Sequence, residues 1–257
     1  MLVPVLTLDF ARRLERLVAP ALNDGGDGAR VAQIGETIAQ RAVGGQPRNK
    51  VFCFTERDIP KLPEILAFYD ELNLDPTFYI APVSFTALMG EALHRQGFAA
   101  VEMEQVILYG SPQEPHQIEL PITFERVDKG NLEVYLDVFA DGFEWNPAWR
   151  GAAINGARAG FNFDAPQFLV RWEGEPAAVC GLGLRDRVCH LVGGAVLPRF
   201  RGRGIQLEML RCRLGLASDF DCEFVMSGGS YGSTSFRNQI AAGMQIAYIE
   251  LAWRRVN

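Results

Sequence analysis

Three short segments rich in strand-forming residues follow one another in the second half of the sequence and lead into a glycine-containing loop and a helix. The turns between the segments, at residues 173–176 and 185–187, are only a few residues long. Turns of this length join neighbouring antiparallel strands, so the segments predict a meander. The predicted strands cover residues 167–172, 177–184 and 188–197, and the predicted helix covers residues 202–216.

Helices and strands are also predicted on both sides of this meander. A strand and two helices precede it, and a strand, a helix and a closing strand follow it. Because this order is not a regular βαβ alternation, it predicts an α+β fold with a mixed, mostly antiparallel sheet flanked by helices. The additional strands are predicted at residues 122–127, 223–226 and 246–253, and the helices at residues 132–143, 148–158 and 234–242.

The first part of the chain predicts a further set of elements, and a break in composition separates it from the rest. Prolines at 112, 115 and 121 interrupt the pattern and indicate a linker. We therefore predict an N-terminal α/β region at residues 1–110, a linker at 111–121 and a second domain at 122–257. The N-terminal helices are predicted at residues 10–22, 30–41, 62–72 and 84–95, and the strands at 51–54, 77–80 and 99–108.

A short pattern occurs in both halves of the chain. A predicted helix ends at Gly97 and another at Gly243, and in each case an apolar residue and a strand follow. Two interpretations stay open. The pattern is either the remnant of a tandem repeat or the common termination of a helix by glycine.

The loop after the meander carries the residues most suited to binding a ligand. Gly202 and Gly204 allow backbone N–H groups to approach a ligand closely. The predicted helix points its positive dipole end at the same place, which favours an anion. Three arginines, Arg199, Arg201 and Arg203, add positive charge. The loop is suited to a diphosphate, although it fits neither the Walker A pattern nor GxGxxG.

This loop resembles the signature of the GNAT superfamily of acyl-CoA N-acyltransferases, Arg/Gln-x-x-Gly-x-Gly/Ala at a strand-to-helix turn. Arg199, Gly202 and Gly204 match it, and Val196-Leu197-Pro198 matches the Val-x-Pro that often precedes it. Residues 233–238 with Gly243-Met244 resemble the superfamily's second motif. The resemblance covers residues 122–257, and the N-terminal region is similar to a degenerate half of the same fold. The alternative for the loop is a basic surface turn that caps a helix.

The resemblance implies a set of residues that bind acetyl-CoA as the acyl donor. The strand backbone at Val196 and Leu197 would hold the pantetheine arm, and N–H groups from Arg201 through Gln206 would bind the diphosphate. Asn238 would contact either the CoA arm or the thiol end. Gln206 replaces a small residue of the superfamily, and its side chain either narrows the approach or points outward. The implied residues are Val196, Leu197, Arg201, Gly202, Arg203, Gly204, Ile205, Gln206 and Asn238.

The catalytic groups are less well defined by the sequence. Superfamily members often place a tyrosine acid on the helix that corresponds to residues 234–242, which contains no tyrosine here. Tyr231 and Ser235 are the substitute acids, and Glu223 is the candidate base acting through water. The alternatives are that Tyr231 packs and that Glu223 is solvated. Strand N–H groups near Leu197 would polarise the acyl carbonyl. An aromatic group, Phe139, Phe143, Trp145 and Trp149, either packs the helices or lines the acceptor pocket.

Composition limits the partners of this chain. The net charge of −6 over 257 residues argues against nucleic acid and against an anionic membrane surface. No apolar segment approaches membrane-spanning length, and no secretory signal pattern is present at the start. The five cysteines show no CxxC spacing and predict free thiols in a cytoplasmic protein. The three histidines show no ligand spacing, so we expect no metal.

Together these features predict an acetyl-CoA-dependent N-acetyltransferase that acts on a primary amine, of a small molecule rather than a protein, by direct transfer in a ternary complex. Net acidity slightly favours a cationic acceptor. The alternatives are a non-catalytic acyl-CoA-binding regulator and a protein N-acetyltransferase. The acceptor, the length of the acyl chain and the oligomeric state stay open.

Overall fold

A computed structural model describes residues 7–18, 30–41, 49–159 and 161–256 of the chain. The chain forms two compact units, one of Met1–Ile107 with Ile246–Asn257 and one of Leu108–Gln245. This division differs from the predicted one at 1–110, 111–121 and 122–257. The last strand belongs to the N-terminal unit, because it pairs there through Leu251 with Ile80 and Trp253 with Phe78.

In the described part of the chain, the N-terminal unit is a sheet in the order β1-β2-β3-β4-β11-β5 with three α-helices. Its core contains interlocking aromatic rings, with Phe78 in edge contact with both Phe54 and Phe98. These side chains are almost fully buried and give this unit a core of its own. The elements are α1 (Leu8–Val18), β1 (Arg30–Ile34), β2 (Thr37–Arg41), β3 (Lys50–Phe52), α2 (Leu62–Asp70), β4 (Thr77–Ile80), α3 (Ala87–Arg95), β5 (Phe98–Gly110) and β11 (Gln245–Arg255).

The prediction of a helix at residues 30–41 is wrong, because this segment is the hairpin β1–β2. Gly35 adopts a φ of +70° in the turn, a conformation that costs glycine little. The two strands pair antiparallel from Arg30 with Arg41 to Ile34 with Thr37. Inward and outward side chains alternate along β2, which is the period of a strand and not of a helix. The predicted helix at 10–22 is present as Leu8–Val18, and residues 19–22 lie outside the described part of the chain.

Among its described residues, the C-terminal unit is a sheet in the order β10-β9-β8-β7-β6 with four α-helices. β6, β7, β8 and β9 are successive antiparallel neighbours, which confirms the predicted meander. Its apolar core is built from α4, β7, β8, β9 and α6. The elements are β6 (Ile122–Arg126), α4 (Leu132–Gly142), α5 (Pro147–Ala159), β7 (Gln167–Trp172), β8 (Glu175–Arg185), β9 (Val188–Val196), α6 (Ile205–Leu216), β10 (Phe224–Gly229) and α7 (Thr234–Ala241).

The predicted linker at 111–121 is packed against α6. The Gln113 N–H donates to the carbonyl of Leu214 at 2.9 Å, and the Glu119 N–H donates to the buried carboxylate of Glu208 at 2.7 Å. A Cβ at Gly215 would lie 3.1 Å from the backbone of residues 114–116. The segment is therefore a fixed part of the C-terminal unit.

The same succession of elements occurs twice along the chain. In each case three antiparallel strands are followed by a helix, a strand parallel to the third, a second helix and a final strand. The parallel pairs are β3 with β4 and β9 with β10. This repetition favours the tandem interpretation over simple glycine termination of helices. Among the described residues, no helix is long and apolar enough to cross a membrane.

Candidate functional site

β9 and β10 are paired over only part of their length. Their parallel register joins Val188–His190 with Phe224–Met226, whereas β9 continues to Val196 and β10 to Gly229. The opposite edge of β9 stays paired with β8 as far as Val196 with Ala178. The end of β9 therefore has one backbone edge that β10 does not cover.

A cavity of about 730 Å³ lies at this open edge. Its walls come from the C-terminal end of α4, the end of β9, the loop that follows, and the first turns of α6 and α7. The predicted loop and the predicted second motif thus contribute to one cavity. The lining residues are Gly142, Phe143, Gly194, Ala195, Val196, Phe200, Arg201, Gly202, Gly204, Ile205, Gln206, Ser233, Thr234, Ser235 and Asn238.

The loop before α6 presents a row of free backbone donors. Gly202 and Gly204 have φ angles of +76° and +82°, and no side chain caps the helix at Gly204. Within the described part of the chain, the N–H groups of residues 202–206 donate to no other residue. The Arg201 N–H, also predicted to bind the ligand, donates to the carbonyl of Pro198 at 3.2 Å. The remaining N–H groups and the positive end of the α6 dipole suit an anion.

The three arginines of the loop have different surroundings. Arg201 donates to the carbonyl of Gly142 at 2.8 Å and to the carboxylate of Glu144 at 2.7 Å, so it ties the loop to the end of α4. The guanidinium of Arg199 lies over the ring of Phe200. That of Arg203 lies over Trp172 at 5.2 Å. Only Arg201 lines the cavity.

The backbone groups of Val196 and Leu197 point to opposite edges of β9. The Leu197 N–H donates to the carbonyl of Ala177 at 2.9 Å, so it points toward β8 and is not free for an acyl carbonyl. Because backbone groups alternate along a strand, those of Val196 point to the open edge. The carbonyl of Val196 accepts from the Arg201 side chain at 3.2 Å.

Gln206 and Asn238 form a direct link between α6 and α7. The Asn238 amide Nδ2 donates to Gln206 Oε1 at 2.7 Å. The Gln206 side chain is therefore directed at α7, in the cavity wall. The first turn of α7 is fixed separately, because the Ser233 hydroxyl accepts from the Phe236 N–H at 3.1 Å.

Of the three catalytic candidates, Ser235 alone lines the cavity. Its hydroxyl accepts from Gln239 Nε2 at 3.2 Å. Tyr231 is 66% exposed and packs against Phe236. The placement of Glu223 in the site is corrected by the structure. Its N–H donates to the carbonyl of Arg187, just before the start of β9, whereas the cavity lies at the end of β9.

A β-bulge in β9 was not predicted from the sequence. The register joins Val179 with Ala195 but Gly181 with Val192, so Gly193 and Gly194 together oppose one residue of β8. Gly193 has a φ of +62°, which is typical of such a bulge. The signal was available, since two glycines inside a strand pattern indicate a bulge or a close backbone approach.

A buried arginine lies beneath this bulge. Arg213 of α6 is 3% exposed and donates to the carbonyl of Met209 at 3.1 Å and to that of Val192 at 3.4 Å. A Cβ at Gly194 would lie 3.2 Å from its guanidinium. Burial, together with Arg213, lowers the pKa of His190 to about 4, so this imidazole is neutral at physiological pH. The positive charge next to the bulge is therefore that of Arg213.

The predicted aromatic group packs around Phe139. Its ring centroid lies 5.0 Å from that of Phe143 and 5.2 Å from that of Trp145. The side chain of Trp149 lies outside the described part of the structure. Among the residues described, no three potential metal ligands cluster together, and the absence of a metal stays a prediction.

Comparison with solved structures identifies the fold. A GCN5-related N-acetyltransferase from Kribbella flavida superposes with a TM-score of 0.62, covers 89% of this chain and 90% of its own, and is 14% identical. The chain has the GNAT fold. A second GCN5-related N-acetyltransferase, from Sphaerobacter thermophilus, gives a TM-score of 0.61 at 14% identity over 98% of this chain and 93% of its own.

A tandem GNAT protein from the clavulanic acid biosynthesis pathway is also similar over both units. It gives a TM-score of 0.59 at 11% identity and covers 85% of this chain and 81% of its own. The GNAT resemblance predicted from residues 196–204 is confirmed at the level of the fold. No family model matches the sequence. No curated protein matches it either.

Proposed function

We propose that this protein transfers the acetyl group of acetyl-CoA to the primary amine of a small molecule, by direct transfer in a ternary complex. The observation that carries the proposal is the cavity at the open edge of β9, with the free N–H groups of residues 202–206 in its wall. A diphosphate needs such a cradle of donors at a helix N-terminus. The GNAT fold of the chain supports the same donor.

The open strand edge supports the binding of the rest of the donor. The pantetheine arm carries amide groups, and the outward N–H of Val196 would pair with one of their carbonyls like an added strand. Phe143 and Ala195 give the cavity apolar wall near that edge. The acyl end of the donor would then lie toward the bulge at Gly194.

The reaction requires few protein groups. The neutral amine nitrogen attacks the carbonyl carbon of the thioester, the new C–N bond forms, and the C–S bond breaks to release the CoA thiolate. The proton lost by the amine is taken up by water, and the thiolate gains one. Ser235, whose hydroxyl-bearing side chain lines the cavity, would donate that proton to the thiolate. Arg213, buried beneath the bulge, would stabilise the negative charge that develops on the carbonyl oxygen.

The five free cysteines support a reducing compartment, and we propose that the protein acts in the cytoplasm. The non-catalytic alternative, an acyl-CoA-binding regulator, is separated from the enzyme by the second step of the following experiment.

The first step measures thermal unfolding with acetyl-CoA, CoA and ATP, for the wild type, Gly202→Glu and Gly174→Glu. Gly174 is a matched control because its φ is +90°, its position is equally open, and it lies outside the cavity. A ligand at 100 times its Kd stabilises by about 2.7 kcal/mol. We expect acetyl-CoA to raise the Tm of the wild type and of Gly174→Glu but not of Gly202→Glu.

The second step measures thiol release from acetyl-CoA in the presence of a panel of amines. Turnover with an amine supports the enzyme, whereas donor binding without turnover on any amine indicates the regulator. If neither CoA ligand shifts the wild type, acyl transfer is excluded.

A further inference from the structure

A second cavity, of about 290 Å³, lies in the C-terminal unit on the side of α4 and α5. Residues from α4, the end of α5, β7 and β9 line it. Three of them are the aromatic residues Tyr135, Phe139 and Phe161, and the others are Leu136, Ala157, Asn162, Gln167, Val192 and Gly193.

This second cavity adjoins the donor cavity at the β9 bulge. Gly193 lines the second cavity and its neighbour Gly194 lines the first. The rings of Phe139 and Phe143, one from each cavity, lie 5.0 Å apart. A group held in the second cavity can therefore present an atom at the bulge, where the acyl end of the donor would lie.

The lining of the second cavity is aromatic and contains no charged side chain among the described residues. Tyr135 lies 6.1 Å from Phe139 and 5.5 Å from Phe161, measured between ring centroids. Burial raises the pKa of Tyr135 well above its usual range, so its phenol stays neutral. These walls favour a flat apolar group over a solvated one.

The lining holds two side-chain amides, Asn162 and Gln167, and that of Gln167 is fixed in orientation. The Tyr135 hydroxyl donates to Gln167 Oε1 at 3.0 Å, which fixes the orientation of the Gln167 amide and leaves its NH₂ group as a donor. A Cβ at Gly181 would overlap this amide, so glycine is required to seat it. The Gln167 amide is thus placed to meet a hydroxyl or carbonyl of a ligand.

The local charge disfavours a cation inside this cavity. No carboxylate lines it, and the buried guanidinium of Arg213 is close enough to affect the pKa of Tyr135. A second ammonium group placed here would lose its water and meet positive charge. The local charge therefore opposes an acceptor, such as a polyamine, whose second cationic group would have to lie inside this cavity.

Resting on the proposed acetyl transfer, we propose that the acceptor is an arylalkylamine. Its ring would lie among Tyr135, Phe139 and Phe161, and its single amine would lie at Gly193 beside the acyl carbonyl. An apolar cavity of roughly 150 Å³ holds one benzene molecule. The observed volume of about 290 Å³ therefore suits an aromatic ring with a short alkyl chain.

Binding of amines, measured by calorimetry with the CoA site saturated and again without CoA, tests this inference separately from catalysis. The probes are 2-phenylethylamine, tyramine, which adds a hydroxyl for Gln167, and spermidine. We expect 2-phenylethylamine to bind the wild type at least 10-fold more tightly than spermidine. Equal or tighter binding of spermidine would overturn the inference.

Two variants with a matched control sharpen the test. Phe161→Ala should reduce the affinity for 2-phenylethylamine about 10-fold. Phe220→Ala, at an exposed ring outside the cavity, should change that affinity less than twofold. Ala157→Asp places a carboxylate in the cavity wall and should increase the affinity for spermidine about 10-fold. If Phe161→Ala does not fold, the selectivity of the wild type and the effect of Ala157→Asp decide the matter.

The two proposals fail in different ways. Absence of acetyl-CoA binding or of turnover rejects the proposed function, while the amine-binding data still decide the ligand class of the second cavity. Acetyl transfer to spermidine with no preference for arylalkylamines rejects the arylalkylamine assignment alone.

Discussion

The side-chain amide of Asn238 donates to the side-chain carbonyl of Gln206 at 2.7 Å and joins the first turn of α6 to α7 in the wall of the donor cavity. The two residues are 32 positions apart in sequence. The bond fixes the separation of two helix N-termini that face the same cavity. In the proposed function, both residues would act on donor binding through this shared geometry.

Removing either partner of this hydrogen bond should weaken the binding of acetyl-CoA. A neutral hydrogen bond contributes about 1 kcal/mol. Gln206→Ala and Asn238→Ala should therefore each reduce the affinity for acetyl-CoA about fivefold, as measured by calorimetry. Because the two side chains act as a pair, the double variant should lose less affinity for acetyl-CoA than the sum of the losses in the two single variants. Gln245→Ala is the control, since its amide is bonded to Tyr109 outside the cavity. Full additivity in the double variant would contradict the pairing.

The chain should bind one acetyl-CoA, because the N-terminal unit carries a carboxylate where the C-terminal unit has free N–H groups. Asp58, between β3 and α2, accepts from the Thr55 N–H at 3.2 Å and hydroxyl at 3.0 Å, and from the Glu36 N–H at 2.9 Å. This internal anion occupies the donors that a diphosphate would need. Calorimetric titration should give a stoichiometry near one, and Gly202→Glu should abolish all binding. Two sites per chain, or a site that survives in Gly202→Glu, would contradict this account.

The site could be predicted from the sequence where a few adjacent residues carry the signal. The Val196–Gly204 loop and the turns of the meander are local patterns, and glycine at 202 and 204 has a direct conformational meaning. The hairpin at residues 30–41 was missed because the whole segment was predicted as one helix. The positive φ of Gly35 decides the hairpin, and a glycine within the segment was the available signal.

Features set by distant parts of the chain could not be predicted in this way. The partner of β11 is β4, more than 160 residues earlier, and no local pattern encodes that choice. Glu223 was placed near the site because it begins a strand of the correct sheet. The parallel register with β9 puts its end of the strand far from the loop. The second cavity likewise depends on how α4 and α5 pack over β9.

The N-terminal unit should lose stability as the pH rises from about 4.5 to about 7. Burial raises the pKa of Glu15 from 4.5 to about 7, although the Ala81 N–H, Arg12 and Arg16 partly oppose the shift. In this window the folded chain holds a proton that the unfolded chain has released, so the stabilisation present below pH 4.5 is lost as pH rises through 7. The pKa difference corresponds to about 3 kcal/mol.

Urea unfolding at pH 5 and pH 8 tests the role of Glu15. Glu15→Gln should be more stable than the wild type at pH 8 and close to it at pH 5. Glu91→Gln, at an exposed ion pair with Arg95, should change stability little at either pH. Glu15 also interacts with a neighbouring titratable group, Tyr248. The pKa of Tyr248 is raised by burial and by Glu250, Glu15 and Cys53. An unchanged pH dependence in Glu15→Gln would show that those groups, rather than Glu15, set it.

Gly142, the last residue of α4, should tolerate no side chain, because α4 packs directly on β9 at this point. A Cβ at Gly142 would lie 2.9 Å from the Cβ of Ala195, and neither atom belongs to a flexible side-chain end. Such overpacking costs about 1–3 kcal/mol, and both residues line the donor cavity. Gly142→Ala should therefore lower both the free energy of unfolding and the affinity for acetyl-CoA.

Gly151→Ala in α5 is the matched control for this substitution. A Cβ at Gly151 meets nothing within 4 Å, so the same change should stabilise the helix by about 0.5–1 kcal/mol. The free energies of unfolding of the two variants should thus move in opposite directions, and donor affinity should fall only for Gly142→Ala. Equal stability of both variants would show that α4 can move away from β9 at no cost, and the donor cavity would then lack the fixed wall on which its proposed function depends.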